Sequence, residues 1–375
     1  MINKCIKVLQ VSPSISAGGI PTLLVNWYKN VDMNNIHFDF TTFEKERTEE
    51  FYTRELKSLN SNILNVKSIG QIGKIKFVLQ FIKIFRQKKY DIVHAHLNEG
   101  SIYVLFAAMI CGVKVRISHS HVFIKKLDNF QKVRRLVFLI LLNMFSTNQL
   151  ACSSEAAKYL FGSRAYKKKQ VQVIENGIVT ERFIFNDSKR KELRKQMNLE
   201  TKFVLGNVGR MSYEKNHSFL IDVFREVQKQ NDNAVLLLIG DGELRTNLEE
   251  KVNILGLTES VIFLGNRRDI SELLEIMDVF VFPSLFEGLG ISVIESQASG
   301  LVTIASDVIP HEVKVTDKVN FISLEKPPVF WAQEILKYSK GYIRRSTIKE
   351  LTKSGFEIRN SSKKLEDFYY NCINK

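Results

Sequence analysis

Short apolar segments alternate with longer amphipathic segments through the first half of the chain. The apolar segments have the length of strands, and the amphipathic segments repeat their apolar positions at the spacing of a helix. This pattern predicts strands at residues 5–11, 37–43, 91–95, 113–118, 149–152 and 170–174. It predicts helices at residues 22–28, 44–59, 75–85, 101–110, 132–145 and 154–161. Such alternation indicates a mostly parallel sheet covered on both faces.

The alternation starts again after a charged helical segment at residues 189–198. Strands are predicted at 203–208, 234–239, 261–264, 279–282 and 303–305, and helices at 218–230, 244–255, 270–277 and 291–298. The fold class is therefore predicted to be α/β, with two Rossmann-like, doubly wound domains at residues 1–185 and 186–355. Ligands of such sheets bind at the carboxyl ends of the strands, so we expect a central cleft faced by both domains.

Length and composition agree with two soluble domains. The chain has 375 residues, of which 45% are hydrophobic and 25% charged. Its four cysteines form no C-x-x-C pair, which favours a reducing compartment and argues against a zinc ribbon. The apolar run at residues 136–142 is far shorter than the roughly 20 residues that cross a bilayer. We therefore expect a cytoplasmic protein without a signal peptide.

The positive charge is concentrated in the first half of the chain. Residues 1–185 contain 27 lysines and arginines against 13 acidic residues, and residues 186–375 contain 27 of each, so the first half carries the whole net charge of +14. This asymmetry indicates an anionic partner such as phospholipid, nucleic acid or a phosphorylated substrate, although a merely basic surface would give the same count.

Two groups of candidate residues follow strands of the first domain. Gly18 and Gly19 precede a helix and could let a phosphate approach its free N–H groups, or could simply form a flexible loop. His94, His96, His119 and His121 are predicted to lie just after strands at one end of the sheet. Packed strand-end histidines are the better interpretation of the first pair, whereas His119 or His121 is a candidate acid, base or donor for a sugar hydroxyl.

A second set of candidates follows the strands of the second domain. Arg210 and Lys215 lie in one glycine-bearing loop, where two cations can clamp a diphosphate and stabilise its departure. The segment PSLFEGLGISVIESQASG reads as strand, loop and helix, with Glu287 in the loop and Glu295 eight residues later. A purely structural interpretation is also open for each group. Arg210 and Lys215 could be ordinary basic residues of the surface, and the second segment could be helix-capping glycines beside surface carboxylates.

The helix after Glu287 gives this segment further chemistry. The amides of Gly288, Leu289, Gly290 and Ile291 begin the helix and can bind phosphate. Glu295, about one turn deeper, can accept hydrogen bonds from two ribose hydroxyls, and Glu287 can hold the hydroxyls of a sugar. Asp-x-Asp is absent, so we expect no metal and no cofactor. The Walker, G-x-S-x-G and H-E-x-x-H motifs are absent too.

These segments together resemble the retaining, GT-B-fold glycosyltransferases of family 4, particularly bacterial enzymes of capsular or exopolysaccharide assembly. The resemblance is carried by Gly18 and Gly19, by the segments RISHSH, ENGI, GRMSYEKN and FLGNRRDI, and by the E-x7-E spacing of Glu287 and Glu295. The E-x7-E spacing combined with the Arg/Lys loop is the specific part. The other pieces are individually loose, but together they span nearly the whole chain.

The resemblance implies roles for residues of the second domain. Arg210 and Lys215 would bind the diphosphate of a nucleotide-sugar donor, Glu287 would orient the donor sugar, Glu295 would hold the ribose, and Arg267 would lie near the base. These roles imply a hexosyltransferase that takes a hexose from a nucleotide sugar, expected to be a UDP-sugar, and passes it to a lipid-linked saccharide. Family members need no metal.

It also implies roles for the first domain and the C-terminus. Gly19, with Gly18, would approach the donor diphosphate, and His119 would sit at the acceptor side near the reacting centre. His121 is the competing choice, because the H-S-H doublet leaves the register open. A last helix within residues 356–375 would cross back to the first domain. The charge asymmetry, and not the resemblance, predicts that the first domain sits peripherally on the inner face of the plasma membrane, with the basic stretches 74–89 and 125–135 as candidate contacts.

Two rival functions remain open at this point. A nucleotide-sugar 2-epimerase of the same overall fold would release nucleoside diphosphate without an acceptor. A non-enzymatic nucleic-acid-binding protein would account for the charge, yet the basic half lacks motifs in which aromatic and basic residues interleave, so we expect no nucleic-acid partner. The donor sugar, the base, the acceptor and the oligomeric state depend on surfaces that the sequence pattern does not specify.

Overall fold

The protein forms two compact units. The computed structural model describes residues 5–43, 51–123 and 129–374, and between 129 and 134 the side chain of Val133 alone. Residues 44–50 of the predicted helix 44–59 and most of the basic stretch 125–135 lie outside the described residues. One unit comprises Met1–Gly177 and Ile358–Lys375, and the other comprises Ile178–Glu357. The sequence pattern predicts the boundaries at 185 and 355.

The first unit is built on a parallel sheet, seven-stranded within the described residues. Its strands are β1 (Ile6–Val11), β2 (Ile36–Thr42), β3 (Ile63–Asn65), β4 (Ile92–Ala95), β5 (Val115–Ser120), β6 (Asn148–Ala151) and β7 (Val171–Val173). Its helices up to β7 are α1 (Gly19–Asn30), α2 (Thr53–Ser58), α3 (Ile69–Gln87), α4 (Ser101–Ile110), α5 (Asn129–Phe145), α6 (Ser154–Phe161) and α7 (Ser163–Lys167).

The strand order of the first sheet creates a switch point beside its first strand. The order is β3-β2-β1-β4-β5-β6-β7, and Val8 of β1 pairs with Phe38 of β2 on one side and Ile92 of β4 on the other. The loops after β1 and β4 therefore leave in opposite directions, which is where doubly wound sheets bind ligands. Helices α3, α4 and α5 pack side by side in one layer, as right-handed crossovers between successive strands require.

Helix α3 shows how the core is fixed locally. The side chain of Gln71 accepts the N–H of Ser68 at 2.7 Å and so caps the helix start, and Gly73 interrupts the helix with a φ of 76°. Beyond this break the helix buries Phe77, Phe81 and Phe85, whose removal from water contributes about 2 kcal/mol each.

The second unit repeats the architecture with a six-stranded parallel sheet. Its strands are β8 (Phe203–Val208), β9 (Ala234–Ile239), β10 (Val261–Gly265), β11 (Val279–Phe282), β12 (Val302–Ser306) and β13 (Val319–Ile322), in the order β10-β9-β8-β11-β12-β13. Its helices are α8 (Asp187–Gln196), α9 (His217–Gln228), α10 (Arg245–Ile254), α11 (Ile270–Ile276), α12 (Ile291–Ala298), α13 (Pro328–Leu336) and α14 (Ile348–Lys353). Strand β9 is apolar and buried at all six positions, because helices cover both faces of the sheet.

The last helix, α15 (Ile358–Ile373), belongs to the first unit. It packs against α1, and Ser361 receives the indole N–H of Trp27 at 2.7 Å. Lys364 pairs with Glu175 at 2.6 Å, which ties the helix to the segment after β7. Among the described residues, no helix combines the length and apolar character needed to cross a bilayer.

The prediction of two Rossmann-like, parallel-sheet domains is confirmed. The pattern missed β3 and β13, which have three and four residues and carry an asparagine each. It also ended the strand at 113–118 too early. Strand β5 continues to Ser120 because His119 and Ser120 pair with Leu150 and Ala151 of β6.

Candidate active site

The second unit brings two predicted loops together at the switch point of its sheet. Strands β8 and β11 are neighbours there, with Leu205 opposite Val279. The loop after β8 is held to the loop after β11 by two hydrogen bonds: the Leu285 N–H donates to the Glu214 carbonyl at 2.8 Å, and the Asn216 amide donates to the Pro283 carbonyl at 3.1 Å.

The clearest feature of this loop pair is an ion pair between two predicted site residues. Lys215 Nζ lies 2.5 Å from Glu287 Oε1, and the two side chains are only 18% and 11% exposed. The ammonium also lies 5.2 Å from the centre of the Phe282 ring, on whose face a cation is attracted. The ammonium and the carboxylate are therefore both largely shielded from solvent, where charge interactions are stronger than in water.

Arg210 occupies the exposed edge of the same loop. Its guanidinium pairs with Glu243 at 3.0 Å, and both side chains are more than half exposed. The backbone beneath it is fixed, because the Met211 N–H donates to the Asp241 carbonyl at 2.9 Å. This close approach needs Gly240, where an added Cβ would lie 2.2 Å from the Gly209 oxygen. Arg210 is therefore an exposed side chain, paired with Glu243, on a backbone that is held in place.

The glycine turn after Glu287 leads directly into α12. Gly290 is the residue before the helix and adopts a left-handed conformation with φ 93° and ψ 63°, which favours glycine. The backbone from Gly288 to Gly290 is buried, and Ile291 is half-buried. No acidic residue lies in the first turn of α12, so the start of the helix is electrically suited to an anion.

Glu295 lies in the last half of α12 and is electrostatically unusual. Its side chain is partly accessible, but its surroundings remove most of its water, and this desolvation raises its pKa to about 8. The carboxyl is therefore mostly protonated at neutral pH, and a ligand that supplies hydrogen-bond donors would favour its ionised form.

Arg267 lies beyond the end of β10. It makes a two-pronged contact with Asp269, with Nε at 2.8 Å from Oδ1 and Nη2 at 2.5 Å from Oδ2. This ion pair raises the pKa of the guanidinium and holds its plane in one orientation. The side chain remains partly exposed, as a group that stacks on a ligand must be.

Gly18 and Gly19 stand at the start of α1 in the first unit. Gly18 precedes the helix in an extended conformation, and Gly19 is its first residue. Both are exposed, and the first turn contains no acidic side chain but does contain Pro21, which lacks an N–H. An anion could approach this helix end closely.

The histidines form one buried cluster across β4 and β5. The prediction that all four histidines lie just after strands is wrong for His94 and His119, which lie within β4 and β5. His96 and His121 do follow the two strands, as predicted. His94 Nε2 meets His119 Nδ1 at 3.0 Å, and His96 Nδ1 meets His121 Nε2 at 2.9 Å. Burial lowers the pKa of all four rings well below the usual value, that of His121 to about 3.

Two residues outside the predicted site complete this cluster. Gln10 Oε1 lies 2.9 Å from His96 Nε2, and the hydroxyl of Tyr369 lies 2.7 Å from His94 Nδ1. Gln10 is a fully buried polar residue inside the apolar strand β1, and that exception to the pattern was the available signal. Tyr369 lies on α15, far from the other members of the cluster along the sequence.

The cluster is also the one place in the described part of the chain where three histidine, cysteine or acidic side chains could surround an ion. Ligand atoms of His94, His96 and His119 lie within 4.8 Å of one another. Several ring nitrogens of these histidines already take part in hydrogen bonds, as the 3.0 Å contact between His94 and His119 shows. A lone pair that accepts such a bond is not available to a metal.

Comparison with known proteins identifies the family. A model described as Glycosyltransferase Family 4 matches residues 17–182, and one described as Glycosyl transferases group 1 matches residues 189–353. EpsF of Bacillus subtilis (strain 168), which is named as a glycosyltransferase, is 32% identical over 370 residues that cover 97% of this chain and 96% of EpsF. The chain belongs to the family 4 glycosyltransferases.

Other relatives of this glycosyltransferase carry more specific names. The capsular polysaccharide biosynthesis glycosyltransferase CapH of Staphylococcus aureus is 26% identical over 97% of this chain and 98% of CapH. An Escherichia coli enzyme named UDP-Gal:alpha-D-GlcNAc-diphosphoundecaprenol alpha-1,3-galactosyltransferase is 26% identical over 82% of both chains. The crystal structure of HepE from Anabaena with UDP and glucose matches with a TM-score of 0.74 at 19% identity, covering 99% of this chain and 100% of HepE. The predicted GT-B fold is thereby confirmed.

Proposed function

We propose that this glycosyltransferase moves a hexose from a UDP-sugar to a lipid-linked saccharide during the assembly of a capsular or extracellular polysaccharide, with retention of the anomeric configuration. The observation that carries the proposal is the Lys215–Glu287 pair at the switch point of the second sheet. The bond broken in a nucleotide sugar joins an anionic diphosphate to a sugar rich in hydroxyls. A lysine beside a glutamate offers one partner to each side of that bond.

The donor diphosphate would be neutralised by protein groups alone. Lys215 and Arg210 would contact its oxygens, and the amides from Gly288 to Ile291 at the start of α12 would bind the same group. Cations placed where charge develops in the transition state help the nucleoside diphosphate to leave. We therefore propose that the reaction needs no metal ion or other cofactor.

The nucleoside would be held by two further residues of the second unit. Glu295 would accept the two ribose hydroxyls, whose O–H groups compensate the cost of ionising a carboxyl with a pKa of about 8. Arg267, oriented by Asp269, would lie against the base. Glu287 would keep the sugar in place through its hydroxyls.

The acceptor side would belong to His119, with His121 beside it, and Gly18 and Gly19 would lie near the diphosphate. Support for a lipid-linked saccharide comes from the names of the relatives: one Escherichia coli enzyme is named for a diphosphoundecaprenol acceptor, and CapH is named for capsule biosynthesis. The family assignment disfavours the rival 2-epimerase and the nucleic-acid-binding protein.

We further propose that the first unit works on the cytoplasmic face of the membrane. Helix α3 exposes Ile75 and Leu79, which are 78% and 57% exposed, beside the exposed Lys74, Lys76 and Lys83. Apolar side chains fringed by lysines are typical of helices that lie on anionic lipid. Helical spacing predicts one apolar face at residues 75, 78, 79, 82 and 85, of which only an edge would meet lipid because the rest must pack on the sheet. Phe85 is buried and Val78 is half-buried, so the exposed part of that face is the edge at Ile75 and Leu79.

Helix α5 of the same layer strengthens this proposal. It presents an exposed apolar stripe at the spacing of one helix face, made of Val133, Leu136, Val137, Ile140 and Met144. Because α3 and α5 both pack on α4, the two sets of exposed side chains lie on one layer of the unit. Contiguous exposed apolar side chains of this kind are typical of a surface that meets a membrane or a partner.

The transfer reaction is tested by a screen of donors in which two quantities are measured, nucleoside diphosphate release and the anomeric configuration of the product. Purified protein would be offered a panel of nucleotide sugars with and without undecaprenyl-diphosphate-linked saccharide, while nucleoside diphosphate release and product anomeric configuration by NMR are measured. We expect release that requires the acceptor and an α-linked product from an α-linked donor. Release without any acceptor would favour the epimerase, and a β-linked product would contradict retention.

A further inference from the structure

The histidine cluster of the first unit is one continuous hydrogen-bonded chain that its catalytic assignment leaves unexplained. Five contacts of 2.7–3.0 Å link six side chains end to end. The members are, in order, His119, His94, Tyr369, Gln10, His96 and His121. Gln10 carries the only amide group among these six side chains. This amide sets the direction of the hydrogen bonds, since its nitrogen can only donate and its oxygen can only accept.

One half of the chain follows from the oxygen of Gln10. This oxygen accepts the hydrogen of His96 Nε2 at 2.9 Å, so Nδ1 of His96 carries a lone pair. His121 Nε2, 2.9 Å from that lone pair, must then donate to it. A neutral imidazole has a single N–H, and Nδ1 of His121 is therefore left as an acceptor.

The other half follows from the nitrogen of Gln10. Its N–H donates to the Tyr369 hydroxyl oxygen at 3.0 Å. Among the described residues the other hydrogen-bond partner of this hydroxyl is His94 Nδ1 at 2.7 Å, so the buried phenol satisfies its own hydrogen by donating it there. His94 then carries its hydrogen on Nε2 and donates it to His119 Nδ1 at 3.0 Å. The remaining hydrogen of this half is on His119 Nε2, which is left as a donor without a partner among the described residues.

The two free ends of the chain are chemically complementary. In the described part of the protein, His119 Nε2 and His121 Nδ1 are buried atoms without a hydrogen-bond partner. Their rings are stacked with centroids 4.1 Å apart. All five hydrogen bonds are donated in the same direction, from the His121 end towards the His119 end. His119 therefore presents a free donor, and His121 presents a free acceptor. A single hydroxyl group, which can accept one hydrogen bond and donate another, matches this pair.

We propose that Gln10 and Tyr369 act as positioning residues that lock all four histidines in the Nε2–H tautomer, so that His119 donates to, and His121 accepts from, one hydroxyl of the saccharide acceptor. The assignment of the hydroxyl rests on the proposed transferase function, whereas the tautomer lock does not. Tyr369 lies on α15 and Gln10 on β1, so the tautomers depend on a contact between the last helix and the first strand of this unit.

Neutral rings are required for this device. Burial lowers the pKa of each histidine, so the cluster stays uncharged at physiological pH and differs only in where its hydrogens lie. A metal held by His94, His96 and His119 would need the lone pairs that the hydrogen bonds use. Metal binding and the tautomer lock are therefore mutually exclusive. The tautomer of each ring and the metal content of the protein distinguish the two.

The first test needs no variant and no substrate. Full-length protein with 15N-labelled histidine would be examined at pH 7 by long-range two-bond 1H–15N correlation, which distinguishes the two tautomers of a ring. We expect four rings in the Nε2–H form. A mixture of tautomers among these four rings, four Nδ1–H rings, or stoichiometric zinc found by elemental analysis would each overturn the lock.

The second test removes one link. Tyr369→Phe deletes the hydrogen that His94 Nδ1 accepts, so we expect the His94 and His119 resonances to lose the single Nε2–H form. Tyr370→Phe, one position along the same helix, is the matched control and should leave all four rings unchanged. Unchanged tautomers in Tyr369→Phe would contradict the proposal.

Activity distinguishes the lock from a merely structural role. With the lock broken, kcat should fall about tenfold, while KM for the donor and the affinity for UDP stay unchanged. A loss confined to donor binding would contradict the assignment to the acceptor. If no donor and acceptor pair supports turnover, the transferase proposal fails, while the NMR result still decides the tautomer lock.

Discussion

Lys215 and Glu287 are 72 positions apart in the sequence, yet the ammonium of one lies 2.5 Å from the carboxylate of the other. Each side chain comes from a loop at the end of a neighbouring strand, and two hydrogen bonds between the loops keep them together. A donor would meet a cation and an anion already in place, so little reorganisation would accompany binding. The pair is therefore the natural first target for mutation.

Removing the cation should slow the chemical step. We expect Lys215→Ala to lower kcat by about 10²–10³-fold, the usual effect of losing one preorganised stabilising group, and Arg210→Ala to fall in the same range. Steady-state kinetics with the donor found by the screen would measure it. Lys251→Ala is a matched control, because Lys251 also forms an ion pair, with Asp222 at 2.7 Å, but joins two helices. Full activity in either loop variant, with an unchanged circular dichroism spectrum, would refute the clamp.

Glu295 should make donor binding depend on pH. Desolvation raises its pKa to about 8, so the ligand-free protein must lose a proton before the carboxylate can accept the ribose hydroxyls. UDP affinity should therefore increase as pH rises from 6 to 8, by at most about tenfold per unit, and level off above. Isothermal titration calorimetry across this range would measure it. Glu295→Gln should show weaker binding without the trend, and a wild-type affinity independent of pH would contradict the assignment.

The same pKa has a consequence for stability. Because the folded pKa lies above the unfolded value of about 4.5, ionisation of Glu295 destabilises the fold. This cost is absent below pH 4.5, grows as pH rises and is complete above pH 8. Glu295→Gln should thus match the wild-type Tm near pH 4.5 and exceed it at pH 8.5, which separates the effect on the fold from the effect on binding.

Chelation should leave the reaction intact. The cations and amides of the second unit are proposed to replace a metal at the diphosphate, so excess EDTA should not reduce turnover. The assay is nucleoside diphosphate release before and after chelation. Activity that disappears with EDTA and returns with Mg²⁺ or Mn²⁺ would show that the protein groups are insufficient.

The sequence predicted the sheets well because each strand is a short apolar run between helices, as in β9, where six apolar residues are all buried. It predicted the Lys215 and Glu287 loops because both follow such strands. It could not predict that His94 bonds to His119, or that Tyr369 reaches His94 across 275 positions. Those contacts depend on register and side-chain direction, which a pattern of apolar positions does not encode.

Helix α3 illustrates the same limit. Helical spacing predicts one apolar face that includes Ile75, Leu79 and Phe85, but Phe77 and Phe81 form a second apolar face on the same segment. The structure buries the phenylalanines, which remove more apolar area from water, and leaves the aliphatic residues exposed. The choice between two apolar faces is made by packing on α4.

Gly240 should be needed for the shape of the Arg210 loop. A Cβ there would lie 2.2 Å from the Gly209 oxygen, and its φ of 128° is unfavourable for other residues. We expect Gly240→Ala to reduce the free energy of unfolding by about 3 kcal/mol. Gly256→Ala is the matched control, because Gly256 has a φ of 69° and nothing within 4 Å of the added atom; it should cost about 1 kcal/mol. Denaturant unfolding would measure both, and equal losses would mean that the clash is relieved.

Membrane binding should need both charge and the exposed apolar side chains. Each basic residue near an anionic surface contributes about 1 kcal/mol, so four or five of them on the first unit could hold the protein reversibly on vesicles that contain phosphatidylglycerol. In sedimentation assays we expect binding at low salt that weakens as salt screens the charges. Lys74→Gln combined with Lys83→Gln removes about 2 kcal/mol of this attraction and should reduce binding by about 30-fold at low salt.

The apolar contribution can be separated from the charge by a matched pair of variants. Leu79→Ser with Leu136→Ser removes two exposed apolar residues from the layer of α3 and α5 without changing charge, and should weaken the part of binding that survives moderate salt. Ile254→Ser, at a residue 75% exposed in the second unit, removes an apolar side chain outside that layer and should change nothing. Equal effects of the two would mean that general hydrophobicity drives binding. Binding to neutral vesicles as strong as to anionic ones, or retention of DNA in place of lipid, would assign the positive charge of the first unit to another partner.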